Sequence, residues 1–394
     1  MDGPLSEPKP PLPIVSLCLA PVFIVALVAA IRPNALVRVA TWLGYVAVAI
    51  AAHNYTLGDD ALMNYSIGSW FGTNCFVVWW LLFYINPKDV QHKSSKVPLG
   101  DIPLTKRVYN VVSLWFSPRA IGWSLEIDKL PPPPPSSRPR FFARCLWQLL
   151  FHVLLVDVAQ TYKRLNPLFR LTGDSALSLG AQGYPLRCLN VLAFMGVSYG
   201  MLNIQYYVMA IVGVASGFWE PSQFPDAFGA WAESYTVRRF WGRTWHQMMR
   251  RVAASTGKTA AHLLGCPPGS WASARVQLLV GFTASGLTHV LGDAFVAHKF
   301  VGCSLPFFVL QPFAITLEDA AISLGARLGI REGWATRLIG YAWTFAWFSW
   351  TTPCFVDWSL RAGTGTAEAI PFTLFGEMVR HSPAVSAWFA SLAA

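Results

Sequence analysis

Charge is what this sequence has least of. Asp, Glu, Lys and Arg make up 13% of its 394 residues, against roughly a quarter in soluble domains. A chain of this length has room for one large domain or for two or three soluble ones, and the scarcity of charge excludes the soluble forms. Acidic residues are the rarer sign, 20 against 30 Lys and Arg. In a soluble protein the net charge of +10 would suggest nucleic acid. Here the basic residues gather in a few loops, where orientation in a bilayer and contact with lipid headgroups account for them. The seven Cys are scattered, with no C-x-x-C and no Cys/His spacing that suits zinc, so they read as small apolar packing residues and no metal is expected. No internal repeat of a transporter kind stands out. The cluster of positive charge that opens a signal peptide is missing too, only Lys9 preceding the first apolar run, which therefore reads as an uncleaved span.

What is present is apolar. Hydrophobic residues reach 54%, with 18 Trp, and the runs are long enough to cross a bilayer. Residues 1–13 are Pro-rich and read as a disordered tail, followed by a single integral membrane domain over 14–394. Eight spans are expected, at 14–31, 35–52, 70–85, 141–158, 189–216, 274–296, 305–324 and 338–355. The fold class is thus all-α, a polytopic membrane protein of about eight transmembrane helices. The fifth run is long for one straight span, and Gly196, Gly200 and Gly213 allow a tilt, a break or close helix packing there. The stretch 371–394 is too interrupted to count as a span.

Two loops carry most of the positive charge. The first, 86–140, includes Pro131 to Pro135 and reads as a linker, with a surface helix around Val108 to Phe116 and a polyproline II rod after it. The second, 217–273, holds Arg238, Arg239, Arg243, Arg250, Arg251 and Lys258. With eight spans both fall on one face, which the excess of Lys and Arg assigns to the cytosol. The acidic loop at 53–69, with Asp59 and Asp60 and the sequons at Asn54 and Asn64, falls on the opposite face.

The chemistry concentrates in that second loop and in the span after it. Within ten residues, Arg238-Arg239-Phe240-Trp241-Gly242-Arg243-Thr244-Trp245-His246-Gln247 sets three Arg beside two Trp, a Gly and a His. Such a run can be an interfacial belt. It also suits a polyanionic ligand with a flat ring, such as coenzyme A. His289 lies inside the sixth apolar run, where an ionisable side chain is costly; it is either a packing histidine or a proton acceptor. Asp293 is four residues on and shares its helical face, so the two can pair, and the carboxylate would then fix the ring tautomer. His289, Asp293, Glu318 and Asp319 together would equally serve a proton-coupled transporter or channel, and acid–base chemistry in an apolar chamber would also suit a membrane terpene cyclase or isomerase.

Phe240-Trp241-Gly242-Arg243-Thr244-Trp245-His246-Gln247, followed some forty residues later by an intramembrane His, resembles the wax-synthase branch of the membrane-bound O-acyltransferases. Within that branch the likeness is to fungal membrane acetyltransferases that decorate terpenoid, polyketide or trichothecene alcohols, and it covers roughly residues 190–360 by motif. The resemblance implies that His289 is the catalytic histidine and Trp245-His246 the tryptophan-plus-polar pair. Plant wax synthases and sterol acyltransferases of the superfamily carry Asn where this chain has His246. The pattern Gln311-Pro312-Phe313 to Glu318 also resembles the fungal branch and gives Glu318 a supporting role, against helix packing. The same likeness implies an acyl-CoA co-substrate, preferably acetyl-CoA, with no bound cofactor. Arg238, Arg239, Trp241 and Arg243 are its candidate ligands. A lipophilic alcohol accepts the acyl group, membrane lipid surrounds the enzyme, and the endoplasmic reticulum is the expected site.

The charge distribution makes the topology testable. A cysteine placed at Lys258, in an otherwise cysteine-free background, is expected to react with an impermeant thiol reagent on sealed microsomes; labelling only after the lumen is opened would invert the assignment.

Overall fold

The computed structural model describes residues 9–391. Among these the regular structure is helical, with strand pairing reduced to three isolated bridges. The helices are α1 (Ala20–Ile31), α2 (Ala35–Ala51), α3 (Ala61–Trp79), α4 (Leu104–Trp115), α5 (Arg138–Leu165), α6 (Tyr184–Ala215) and the single turn α7 (Val237–Arg239). They continue with α8 (Arg250–Leu263), α9 (Trp271–Val296), α10 (Leu305–Arg327), α11 (Trp334–Arg361), α12 (Leu374–Arg380) and α13 (Pro383–Ser391).

Among the described residues six helices are long and apolar enough to cross a membrane: Ala35–Asn54, Ala61–Tyr84, Arg138–Leu165, Tyr184–Ala215, Trp271–Val296 and His298–Arg327. The other two expected spans are helices that miss one criterion each. The first is shorter, an apolar stretch over Val15–Ile31. The last, α11, has length enough, but Ser349, Thr351, Thr352, Asp357 and Ser359 make it polar along its second half. Apolar side chains such as Leu36, Leu43, Leu146, Phe151 and Leu192 stand outward, as lipid-facing helices require.

The contacts divide into two compact units, each made of two stretches of chain. The first comprises Met1–Lys129 and Gln247–Ile330. Its central contact is α3 against α9, brought close by glycine. A Cβ on Gly68 would fall 2.7 Å from the Leu291 carbonyl oxygen, and one on Gly72 would fall 2.8 Å from Thr288 Cα. α3 begins at Ala61, nine residues before the expected span, because Asp60 caps it by accepting from the backbone N–H groups of Leu62 and Met63. That extension turns the expected sequon at Asn64 into a buried helical residue that donates to the Gly58 carbonyl and accepts from Leu57 N.

The expected tail over 1–13 lies outside the described residues at 1–8. At 9–13 the backbone is tied down, Leu12 N donating to Thr56 O and Thr56 N to Pro10 O. Nor is 86–129 a loose linker. α4 packs on α1, Arg107 donates to the carbonyls of Ala30, Gly100 and Ile102, and Trp123 is buried. Pro131–Pro135 carries neither helix nor strand, as five consecutive prolines dictate.

The second unit comprises Leu130–His246 and Arg331–Ala394. α6 runs unbroken through its glycines, and of the three uses foreseen for them close packing is the one realised at Gly200. There the Val156 side chain of α5 occupies the space a Cβ would need. Asp157 of α5 accepts from the backbone N–H groups of Leu374 (2.9 Å) and Phe375 (2.7 Å) and so caps α12. Asn166, Asn190, Gln182 and Tyr162 satisfy one another in a buried network.

Helix approach through glycine predicts an asymmetry among small substitutions. Gly72→Ala is expected to cost about 1–3 kcal/mol, as overpacking does. Gly44→Ala on α2, where nothing lies within 4 Å of the new Cβ, is expected to be neutral or mildly stabilising. Thermal unfolding of both in one detergent decides; equal midpoints would mean that the α3–α9 contact yields without cost.

Candidate functional site

The motif stretch of the second unit is built as a tight knuckle. Thr236 caps α7 through its hydroxyl, which accepts from Arg239 N. The chain continues as a π-turn over Phe240–Thr244, closed by Trp245 N donating to Phe240 O at 2.7 Å. Gly229 sits where any side chain would strike the Arg243 carbonyl, which lets Gly229 N reach Thr244 O. The knuckle is filled by rings. Trp245 is buried, stacked on Phe240 (5.5 Å between centroids) and met edge-on by Phe228 and Trp241. Phe240 in turn packs on Phe348 of α11, and Phe228 on Tyr199 of α6. Trp245 is therefore also a core residue, a role its sequence position does not reveal.

His246 projects from this core. Its ring contacts Phe228 and Trp245, and its Nδ1 is buried with no hydrogen-bond partner among the described residues. Burial pushes its pKa down to about 4 from an ordinary 6.5, against a smaller opposing contribution from its own backbone. The imidazole is neutral at pH 7, with one N–H to donate and little basicity.

The three candidate phosphate ligands do not share one situation. Arg238 is exposed. Arg239 and Arg243 both bind the Glu233 carboxylate, Arg243 Nη1 at 2.6 Å, and Arg239 lies over the Tyr235 ring. Partial burial disfavours the Glu233 charge. The Arg243 hydrogen bond and the charges of both arginines outweigh that and hold its carboxyl below the usual range. Half-buried Trp241 completes the wall against Phe240 and Phe348.

His289 belongs to the first unit, seven residues before the end of α9. The half-buried ring stacks on Phe308 of α10 (4.6 Å, 10° between planes), and its Nδ1 lies 2.8 Å from Tyr65 Oη. Tyr65 Oη is in turn 3.4 Å from Ser304 Oγ, and the Ser304 hydroxyl donates to Asp293 at 2.5 Å while its N–H donates to the other oxygen. The foreseen link between His289 and Asp293 thus runs through two hydroxyl groups. This changes the expected direct pairing, because Asp293 is turned toward the N-terminal cap of α10. Tyr65 and Ser304 were not among the candidate residues. The first stood in a supposed loop, and the second carries no motif.

The acidic pair in α10 separates as well. Asp319 is bound by Arg275 of α9 (2.6 Å), a helix-to-helix ion pair, whereas Glu318 is buried. A cavity of about 320 Å³ in the second unit is lined by Gln160, Lys163, Arg164, Phe169, Arg170 and Gly365–Glu368, and no candidate residue faces it.

Residues 224–310 match the family profile described as membrane bound O-acyl transferase family, and residues 137–215 match the aspirochlorine biosynthesis protein F C-terminal domain. The acetyltransferase ple2 of Rhodocybe pseudopiperita is 31% identical over 342 residues, which cover 83% of this chain and 86% of that protein. The acetyltransferase eriL of Hericium erinaceus is 30% identical, covering 73% and 75%. The O-mevalon transferase macI of Penicillium terrestre is 28% identical, covering 68% and 67%. No solved structure matches the chain.

The depressed pKa of His246 fixes a pH dependence of stability. The unfolded imidazole binds a proton below about 6.5 and the folded one only below about 4, so stability falls as pH drops through that window and levels off beneath it. The loss is at most about 3 kcal/mol, less whatever solvent reaches the half-buried ring. Unfolding midpoints measured from pH 7 to 4 are expected to fall further in wild type than in His246→Asn, whose amide does not titrate. Parallel curves would show that the ring protonates freely in the folded protein.

Proposed function

We propose, from the premise that this chain belongs to the membrane-bound O-acyltransferase family and is an integral membrane enzyme of that class, that it transfers an acetyl group from acetyl-CoA to a hydroxyl of a lipophilic secondary metabolite. The relatives named as acetyltransferases favour acetyl as the donor group, and a terpenoid or polyketide alcohol suits the apolar surroundings. The transporter reading loses its ground, since Asp319 is already bound by Arg275 and the relatives are transferases. The Lys and Arg of 217–273 favour a cytosolic motif loop in an endoplasmic reticulum membrane, where the donor is at hand.

The observation that carries the reading is the order of hydrogen bonds behind His289. An ionised Asp293 only accepts, so the Ser304 hydroxyl gives it its single proton. Ser304 Oγ can then only accept, from Tyr65, and Tyr65 Oη is left to accept from His289 Nδ1–H. In this arrangement, which supports the reading, Nε2 carries the lone pair. In the proposed reaction it takes the proton of the alcohol while the oxygen attacks the thioester carbonyl. The C–S bond then breaks, and the thiolate leaves and recovers that proton. No acyl-enzyme forms. A placed base of this kind contributes roughly 10²–10⁴-fold.

His246, kept neutral by burial, suits the other task of donating a hydrogen bond to the carbonyl oxygen as charge develops, beside the Trp245 indole. Arg238, Arg239 and Arg243, with Trp241, are proposed to attract the phosphates and adenine ring of the donor, tempered by the Glu233 carboxylate that two of them share.

The two histidines are told apart by amide substitution. His246→Asn is expected to retain substantial activity and His246→Ala to lose roughly 10²–10³-fold, as for a deleted oxyanion donor. His289→Asn and His289→Ala should be equally inactive, because an amide donates a hydrogen bond and does not accept the hydroxyl proton. Initial rates with labelled acetyl-CoA and a panel of lipophilic alcohols, at equal folded protein, test this. Activity surviving in His289→Asn but not in His246→Asn would exchange the roles.

A further inference from the structure

One buried cation of the first unit has no hydrogen-bond partner among the described residues. Arg251, the second residue of α8, is 6% exposed, and none of its Nε, Nη1 and Nη2 atoms has a hydrogen-bond partner among the described residues. Its guanidinium carbon lies 3.6 Å from the centre of the Trp80 ring. Trp80 is 1% exposed, and its own Nε1 is likewise unpartnered. Other arginines of this unit are held by oxygen: Arg107 by three carbonyls and Arg275 by Asp319 and Thr316. A ring face attracts the charge but leaves the in-plane N–H groups unfilled. Arg251 therefore gathers five of them where water is scarce, an arrangement costly unless an anion completes it. Burial lowers its pKa to about 9, so at neutral pH it is still a cation.

Its position along the helices gives the ligand an address. α8 lies against α9, with the Gly257 Cβ position 2.7 Å from Gln277 O and the Gly281 Cβ position 3.3 Å from Ala253 O. That antiparallel register sets Arg251 level with residues about six before His289, roughly 10 Å along the helix axis. We propose that Arg251, seated on the face of Trp80, binds a phosphate group of the acyl donor. A phosphate offers three acceptor oxygens to the planar fork, whereas a carboxylate fills only one edge of it. Of the two phosphate sources, the donor is favoured over a lipid headgroup because the site is buried within the unit that holds His289. The assignment rests on the acyl-CoA reading above and adds a residue to it.

The test is CoA binding to the purified full chain in detergent, by calorimetry and by thermal shift, for wild type, Arg251→Met and Arg251→Lys. Arg251→Met is expected to bind CoA on the order of 10- to 100-fold more weakly, the range for a lost charged hydrogen bond. Its unliganded midpoint should stay level or rise, since no hydrogen bond is lost and the thioether of Met keeps a contact with the Trp80 ring in place of the desolvated charge. Arg251→Lys, which keeps the charge without the fork, should fall between. Should Arg251→Met fail to fold, Arg251→Gln takes its place with the same criteria.

A wild-type CoA affinity in the folded variant overturns the assignment and leaves the acyltransferase reading standing; a wild type with no CoA affinity overturns both. Nanodiscs with and without phosphatidic acid form the second arm. A phosphatidic-acid-dependent shift lost in Arg251→Met, with CoA affinity intact, would make the occupant a lipid headgroup and overturn the donor assignment. A lower unliganded midpoint with an unchanged CoA-induced shift would make Arg251 structural.

Discussion

The approach of α3 to α9 is the constraint on which the first unit depends. Gly68 and Gly72 on one helix leave no room for a Cβ, so backbone meets backbone there, and Gly292 on the other makes room for the Tyr65 and Ser69 side chains. Between lipid tails there is no hydrophobic gain in burying helix against helix, and dispersion across such a contact takes its place. The consequence reaches the chemistry. Only with α3 this near does the Tyr65 hydroxyl come within 2.8 Å of His289 Nδ1, the contact on which the proposed choice of tautomer rests. A packing feature made of absent side chains thereby brings a hydroxyl to the ring of His289.

The second unit solves a different problem. Its motif stretch is polar and basic, yet it is anchored by a continuous set of rings running from Tyr199 through Phe228 and Trp245 to Phe240 and Phe348. Aromatic groups bury much area with few rotatable bonds, which suits a segment of single turns with no long helix of its own. Glu233 then neutralises part of the charge that the motif concentrates, holding Arg239 and Arg243 in a fixed orientation.

Much of this was legible in the sequence, and the reasons differ by residue. The apolar runs located the long helices, and the cost of an ionisable group among them drew attention to His289. The pattern around Trp241 to His246 pointed to acyl transfer. Hydropathy misplaced the start of α3, because Asn64, Tyr65, Ser66 and Ser69 read as a loop; the Asp60 cap, the burial of Asn64 against the Thr56–Gly58 turn, and the seating of Tyr65 and Ser69 on Gly292 of α9 overrode their polarity. Tyr65 was lost with them, and Ser304 with it, since a hydroxyl that passes a hydrogen bond has no spacing to betray it. Arg251 was counted among the orienting charges of its loop. Nothing in the order of residues distinguishes it from exposed Lys258, because burial is a property of packing.

The capping of α12 by Asp157 bears on how the protein is made. The carboxylate and the backbone groups that fill it are 217 residues apart in sequence. At the usual pace of synthesis, about 5–20 residues per second, that separation is roughly 10 to 40 s. Through that interval α5 already exists as an apolar helix with an acid in it, and the donors of Leu374 and Phe375 have yet to be polymerised. α5 can pack on α6 as soon as both are made, with Val156 against Gly200, but the Asp157 carboxylate waits for Leu374 and Phe375 before its backbone donors arrive.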